Sequence, residues 1–185
     1  MRVYQVEVSD DLGLSGRAVC KIASDVCIQS LRHEVNIYQT KLKTLQGTVV
    51  PKVYGIYTGR VDGERVHVLL EEYCGPPSDG VPGTLSRSIR MDILIAAFKL
   101  HAAGVMHNDI VYLSRSIPFG DLPTGASPDI RFVGFDKATI HECPMVEKAT
   151  ENDIKTDIQK FGDDCLLSKC RELRIIWSCL GFDIE

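Results

Sequence analysis

Alternation of apolar and polar positions dominates the first part of the chain. In "RVYQVEV" (Arg2–Val8), Val3, Gln5 and Glu7 fall on one face of an extended strand and Tyr4, Val6 and Val8 on the other. "SDDLGLSG" is a turn by its Asp and Gly content, and "RAVCKIA" (Arg17–Ala23) is a second strand of small and branched residues. The two predict a hairpin. The period then lengthens. In "IQSLRHEVNIYQTKLKTL", Ile28, Leu31, Val35, Tyr38, Leu42 and Leu45 recur at helical spacing, and "GTVV" with Pro51 ends the run. "VYGIYTGRVDGERVHVLLEEY" returns to strand character on both sides of Asp62-Gly63, a strong hairpin signal.

"GPPSDGVPG" (Gly75–Gly83) holds three prolines and three glycines and reads as a connector between two lobes. Beyond it, "LSRSIRMDILIAAFKLHAAG" is an apolar helix with Gly104 as its stop. "PFGDLPTGASPD" is a loop and "IRFVGFD" a short strand. The remainder, "ATENDIKTDIQKFGDDCLLSKCRELRIIWSCLGF", reads as mostly helical. Strands cluster early and helices late, which predicts an α+β fold rather than a parallel alternating sheet.

Composition narrows the class only a little. At 185 residues, with 44% hydrophobic and 25% charged, the chain suits one globular unit. A net charge of −4 supplies no general attraction for nucleic acid or anionic lipid, so neither is expected as a partner. No apolar run approaches the roughly 20 residues a membrane helix needs, and the N-terminus lacks a signal-peptide core. Seven cysteines without a C-x-x-C pair suit buried thiols in a reducing compartment, cytoplasm or nucleus.

Candidate chemistry lies in three places. Lys21 sits in the apolar strand "AVCKIA", and Glu34 in the helix that follows, one turn from Leu31 and from Tyr38. Asp109 stands in "GVMHNDIVYLSRS" directly after the Gly104 stop. Taken singly, each has a plain structural reading: a Lys stem covering apolar surface, a turn-forming Asp. Two other clusters carry less. Asp153, Asp157, Asp163 and Asp164 are interspersed with Lys155 and Lys160, as on a solvated helix face. His141 and Cys143 form a His/Cys pair without zinc-finger spacing and read as loop residues.

The order of five segments resembles the protein-kinase-like fold from about Val3 to about Ala138, above all the small divergent kinase-like proteins of fungi, distantly similar to aminoglycoside phosphotransferases. "AVCKIA" resembles the Lys strand, "RHEVNIY" the Glu helix, "VLLEEYCG" the strand entering the hinge, "HNDIVYLS" the catalytic loop and "RFVGFDKA" the metal-binding segment. The resemblance implies a small antiparallel-sheet lobe (1–74), a hinge (75–83) and a reduced, mostly helical lobe (84–185). It further implies ATP contacts by Lys21, Glu34, Glu72, Tyr73 and Cys74, and a catalytic base in Asp109.

Departures from that pattern bear on activity. Five residues after Asp109, where such enzymes carry a magnesium-binding Asn, stands Ser114. Gly134 occupies the metal-binding Asp position, with Asp136 displaced by two residues. Ser114 and Asp136 are therefore weak metal candidates, and the chain offers no room ahead of Val3 for a phosphate-covering Gly-rich loop. At roughly 3 kcal/mol per lost electrostatic stabiliser, two lost ligands slow phosphoryl transfer about 10⁴-fold. The expectation is a pseudokinase-like binding or regulatory module with a protein partner. An ATP- and Mg-dependent phosphotransferase using Asp109 and Asp136, and an unrelated α+β interaction protein, are the competing readings. Leu166, Cys170, Leu173 and Trp177 mark an apolar helix face that needs cover, within the chain or from a second copy.

Overall fold

A computed structural model describes residues 1–9, 16–76, 82–110, 116–118, 130–146, 151 and 169–182. Among them the architecture is α+β, built on one four-stranded antiparallel sheet, one two-stranded ribbon and three α-helices. Strands β1 (Arg2–Val8) and β2 (Gly16–Ser24) form the expected hairpin in continuous register, Val3 facing Lys21 and Gln5 facing Val19. Strands β3 (Val53–Val61) and β4 (Glu64–Glu72) form the second hairpin. Its turn places Asp62 at φ 52 and Gly63 at φ 81, the pair of positive angles that a two-residue Asp-Gly connection supplies. The sheet order is β1-β2-β4-β3, so β2 and β4 are central and β1 and β3 are edges.

Helix α1 (Ile28–Thr40) lays Ile28, Leu31 and Val35 against Ala23 and Leu69 of the sheet, forming a small core. Leu31 and Leu69 are fully buried, and the small Ala23 lets the helix approach β2. The helix is shorter than its apolar periodicity predicts. It ends at Thr40 because Leu42 N–H turns back to Ile37 O at 3.0 Å. A 3₁₀ turn over Lys43–Leu45 follows, where Leu45 O accepts from Thr48, Val49 and Val50.

The larger core gathers around α2 (Arg87–Ala102). Ser86 caps this helix by accepting from Ile89 N, and Gly104, at φ 77, turns the chain out of it. A short ribbon then pairs β5 (Val105–Met106) with β6 (Thr139–Ile140). Residues 130–136 do not form the expected strand. Phe132 N–H donates to the turn carbonyl of Val49 and Val133 N–H to Ser116 O, so the segment joins no ladder among the described residues. Of the long helical stretch expected toward the C-terminus, the described part is α3 (Arg171–Cys179), and Leu166 with the four aspartates lies outside the described residues. No helix among the described residues is long and apolar enough to cross a membrane.

Leu173 (0% exposed) and Trp177 (6%) are covered from within the chain, in one cluster with Ile93, Leu94, Ala97 and Leu100 of α2. Cys170 precedes the helix in an extended conformation rather than sharing its face. The apolar side of α3 is thus internal core and needs no second copy to cover it. Leu173→Ala should cost about 2–5 kcal/mol in urea denaturation. The folded variant should sediment as the wild type does, because no subunit contact is removed.

Candidate functional site

Lys21 and Glu34 meet. Position 21 lies on the face of β2 that packs against α1, and Glu34 points inward from the helix between Leu31 and Tyr38. The Lys21 Nζ to Glu34 Oε1 distance is 2.6 Å, with both side chains buried. A second carboxylate completes the cluster. Glu71 pairs with Val19 across β2 and β4, which makes it the diagonal neighbour of Lys21, and its Oε1 lies 2.9 Å from Nζ. Glu71 went unremarked in the sequence, although its alternation with Leu69 along β4 places both on the inner face.

One ammonium therefore faces two buried carboxylates. Burial alone lowers the Lys21 pKa, but the charges of Glu71 and Glu34 outweigh it and raise the group above its ordinary value. Burial also lifts the Glu71 carboxyl, which Lys21 pulls down and the Glu34 charge lifts further, to about 7. Glu34 Oε2, Glu71 Oε2 and the Tyr38 hydroxyl, all buried, have no hydrogen-bond partner among the described residues. Around the ammonium the site is rich in acceptors.

Glu34 also reaches the far segment. Its Oε1 accepts from Phe135 N–H at 3.0 Å, and the neighbouring His33 Nε2 donates to Ala138 O at 2.6 Å. The Phe135 ring packs edge-on against Tyr38 with centroids 5.1 Å apart. Gly134, just before it, adopts φ 81, and a Cβ there would meet nothing within 4 Å. The site has space for a side chain at this position, but the backbone angle disfavours one. Asp136 is partly exposed, and Ser114 lies outside the described residues.

Asp109 lies at the end of a tightly held loop. His107 is buried, its Nε2 donating to Val133 O at 3.0 Å and its ring packing on Phe135 at 4.7 Å. Burial pushes the His107 pKa down, against the hydrogen bond to Val133. Asn108 takes φ 65, and its side-chain amide donates to Lys137 O and Thr139 Oγ1. Glu172, in the first turn of α3, accepts from the N–H groups of His107 (2.9 Å) and Asn108 (2.6 Å) and from His101 Nε2 (2.9 Å). Burial opposes ionisation of Glu172, but those hydrogen bonds outweigh it and hold the carboxyl below its ordinary range. Asp109 itself pairs with Lys137, Oδ1 to Nζ 3.0 Å, at a partly exposed position.

Among the residues expected at the hinge, Glu72 accepts from Lys52 N–H through Oε2 at 3.0 Å. Tyr73 lies under the Arg17 guanidinium at 4.5 Å. Cys74 Sγ contacts Glu72 O at 3.6 Å. The Glu72 and Tyr73 side chains face these neighbours rather than Lys21. A separate group does converge. His101, His141, Cys143 and Cys170 bring their ligand atoms within 4.8 Å of one another, so the His141/Cys143 pair is not alone.

No protein-family model matches the chain, and no curated protein matches it.

The two glutamates differ in what their loss does. Glu34→Ala removes the tie to Phe135 and leaves Lys21 with one partner, and should cost about 3–5 kcal/mol in denaturant unfolding. Glu71→Gln should stabilise. A carboxyl raised from its ordinary 4.5 to about 7 favours the folded state fully below about 4.5, and that contribution is lost as pH climbs to about 7. Thermal denaturation of the wild type should therefore show Tm falling across this window. At about pH 8 Glu71→Gln should exceed the wild type by roughly 2–4 °C, the shift that 1 kcal/mol makes in a chain of this size.

Proposed function

We propose that this chain is a kinase-like binding or regulatory module that works through a protein partner and not by phosphoryl transfer. One observation carries the reading: the Lys21 ammonium is buried and saturated by two carboxylates, Glu34 at 2.6 Å and Glu71 at 2.9 Å. Phosphate sites are rich in donors and positive charge. Here one cation is set against two carboxylates, each of which keeps its second oxygen without a partner among the described residues. A triphosphate would have to displace Glu71 and approach Glu34.

The kinase-like part of the proposal is supported by the order of pieces along the chain. A Lys strand, a Glu helix that closes on it, a strand entering the hinge, and a His-x-Asp loop held beside a Phe-containing segment follow one another as the sequence resemblance implies. The non-catalytic part is supported by Gly134, which supplies no carboxylate where the resemblance implies a metal-binding Asp. A protein partner is supported by the sheet edges. Strand β1 exposes Val3 and Tyr4, and β3 exposes Ile56, Tyr57 and Val61, apolar side chains on strands that pair on one side only among the described residues.

Thermal denaturation with ATP, with and without Mg²⁺ or Mn²⁺, tests the reading. A ligand at 100 times its Kd stabilises by about 2.7 kcal/mol, roughly 5–10 °C here. Millimolar MgATP should produce no such shift. Ser114→Asn combined with Gly134→Asp should recover little turnover, because Lys21 stays locked by Glu71. Robust Mg²⁺-dependent phosphotransfer by the wild type, abolished by Asp109→Asn, would overturn the proposal in favour of a divergent phosphotransferase.

A further inference from the structure

We propose that His101, His141, Cys143 and Cys170 form a structural zinc site that fastens the C-terminal helix to the rest of the larger core. The four come from separate places: the last turn of α2, the residues just after β6, and the position preceding α3. Their ligand atoms lie within 4.8 Å of one another. Cys170 Sγ is 3.5 Å from His101 Nδ1 and 3.7 Å from His141 Nε2. A tetrahedral ion with Zn–S of about 2.3 Å and Zn–N of about 2.0–2.1 Å sets sulfur and nitrogen about 3.5 Å apart. The protein already holds that edge length.

The donor set names the metal. Two thiolates and two imidazoles in a compact tetrahedron suit zinc, whereas magnesium and calcium require oxygen ligands. Four protein ligands leave no open position, so the role is structural, not catalytic. His101, Cys143 and Cys170 are buried, and the half-buried His141 gives the ion its way in. The outer shell is present as well. His101 Nε2 binds Glu172 Oε2 at 2.9 Å, which leaves Nδ1 to face the cluster and orients the ring, the usual carboxylate–histidine–zinc arrangement. Because Glu172 also holds the N–H groups of His107 and Asn108, the ion would stiffen the loop carrying Asp109 through one intervening carboxylate. The site stands independently of the kinase-like reading.

The test uses the full chain, purified without added metal under reducing conditions. Elemental analysis should find about one zinc per chain, and X-ray absorption at the zinc edge should give two sulfur and two nitrogen neighbours. Cobalt(II) added after chelator treatment should give a thiolate-to-cobalt charge-transfer band and the intense visible bands of a tetrahedral site. Cys143→Ser and His141→Ala should lose that spectrum, while Cys20→Ser, altered in the distant sheet, should keep it. If the ligand variants do not fold, the wild-type absorption spectrum alone decides the matter. Substoichiometric zinc with no cobalt charge transfer would overturn the proposal. So would a zinc shell of light atoms only, or a Cys143–Cys170 disulfide in peptide mapping of the unreduced protein.

Discussion

A single carboxylate oxygen, Glu34 Oε1, joins the three parts of the molecule that matter for its site. It takes the Lys21 ammonium from β2 and the Phe135 amide from the 130–136 segment, while its own backbone belongs to α1. A fully buried carboxylate is tolerable only when it is paired and hydrogen-bonded. The helix therefore cannot swing away from the sheet, nor the Phe135 segment from the helix, without stranding a charge. Helix, sheet and segment are held as one arrangement by that constraint, and the Tyr38–Phe135 and His33–Ala138 contacts are packed around it.

Charge placement decides what such an arrangement can do. At the Lys21 end, the second carboxylate from Glu71 consumes the attraction that a bare ammonium would offer an anion. At the Asp109 end the balance is one to one, Lys137 Nζ lying 3.0 Å from the carboxylate. The two pairs differ in strength. The buried one is little screened, while the partly exposed Asp109–Lys137 pair is worth no more than about 1 kcal/mol and breaks readily.

The fold was legible where local chemistry and period agree. Asp62-Gly63 announces its hairpin by turn chemistry, and the helical repeat from Ile28 to Tyr38 announces α1 with the face that carries Glu34. That Lys21 and Glu34 meet follows from their apolar flanks and their order. Glu71 was hidden because the following Glu72 looks equivalent in sequence, and only strand parity separates the inward residue from the outward one. The 130–136 segment is apolar enough for a strand, but its N–H groups find the carbonyls of Val49 and Ser116 and the Glu34 carboxylate, partners that no period reveals. The His/Cys cluster was illegible for a similar reason. His101 and Cys170 are distant in sequence from the His141/Cys143 pair, and only the tertiary fold brings them together.

Helix α3 bears on the order in which the molecule can be made. Its Leu173, Ile176 and Trp177 complete the core around α2, and its Glu172 supplies acceptors for the amides of His107 and Asn108. On the ribosome, the sheet and the sheet-facing side of α1 can meet early, since both lie within the first 72 residues, although Glu34 must wait for the Phe135 amide. The α2 core must wait, with its apolar face open, until a helix near the end of the sequence emerges. Contacts so distant along the chain form slowly, and partly closed intermediates of this kind expose the surfaces through which chains associate. Premature termination before Arg171 would yield a protein with a sound first half and a permanently uncovered second, a substrate for chaperones and proteases.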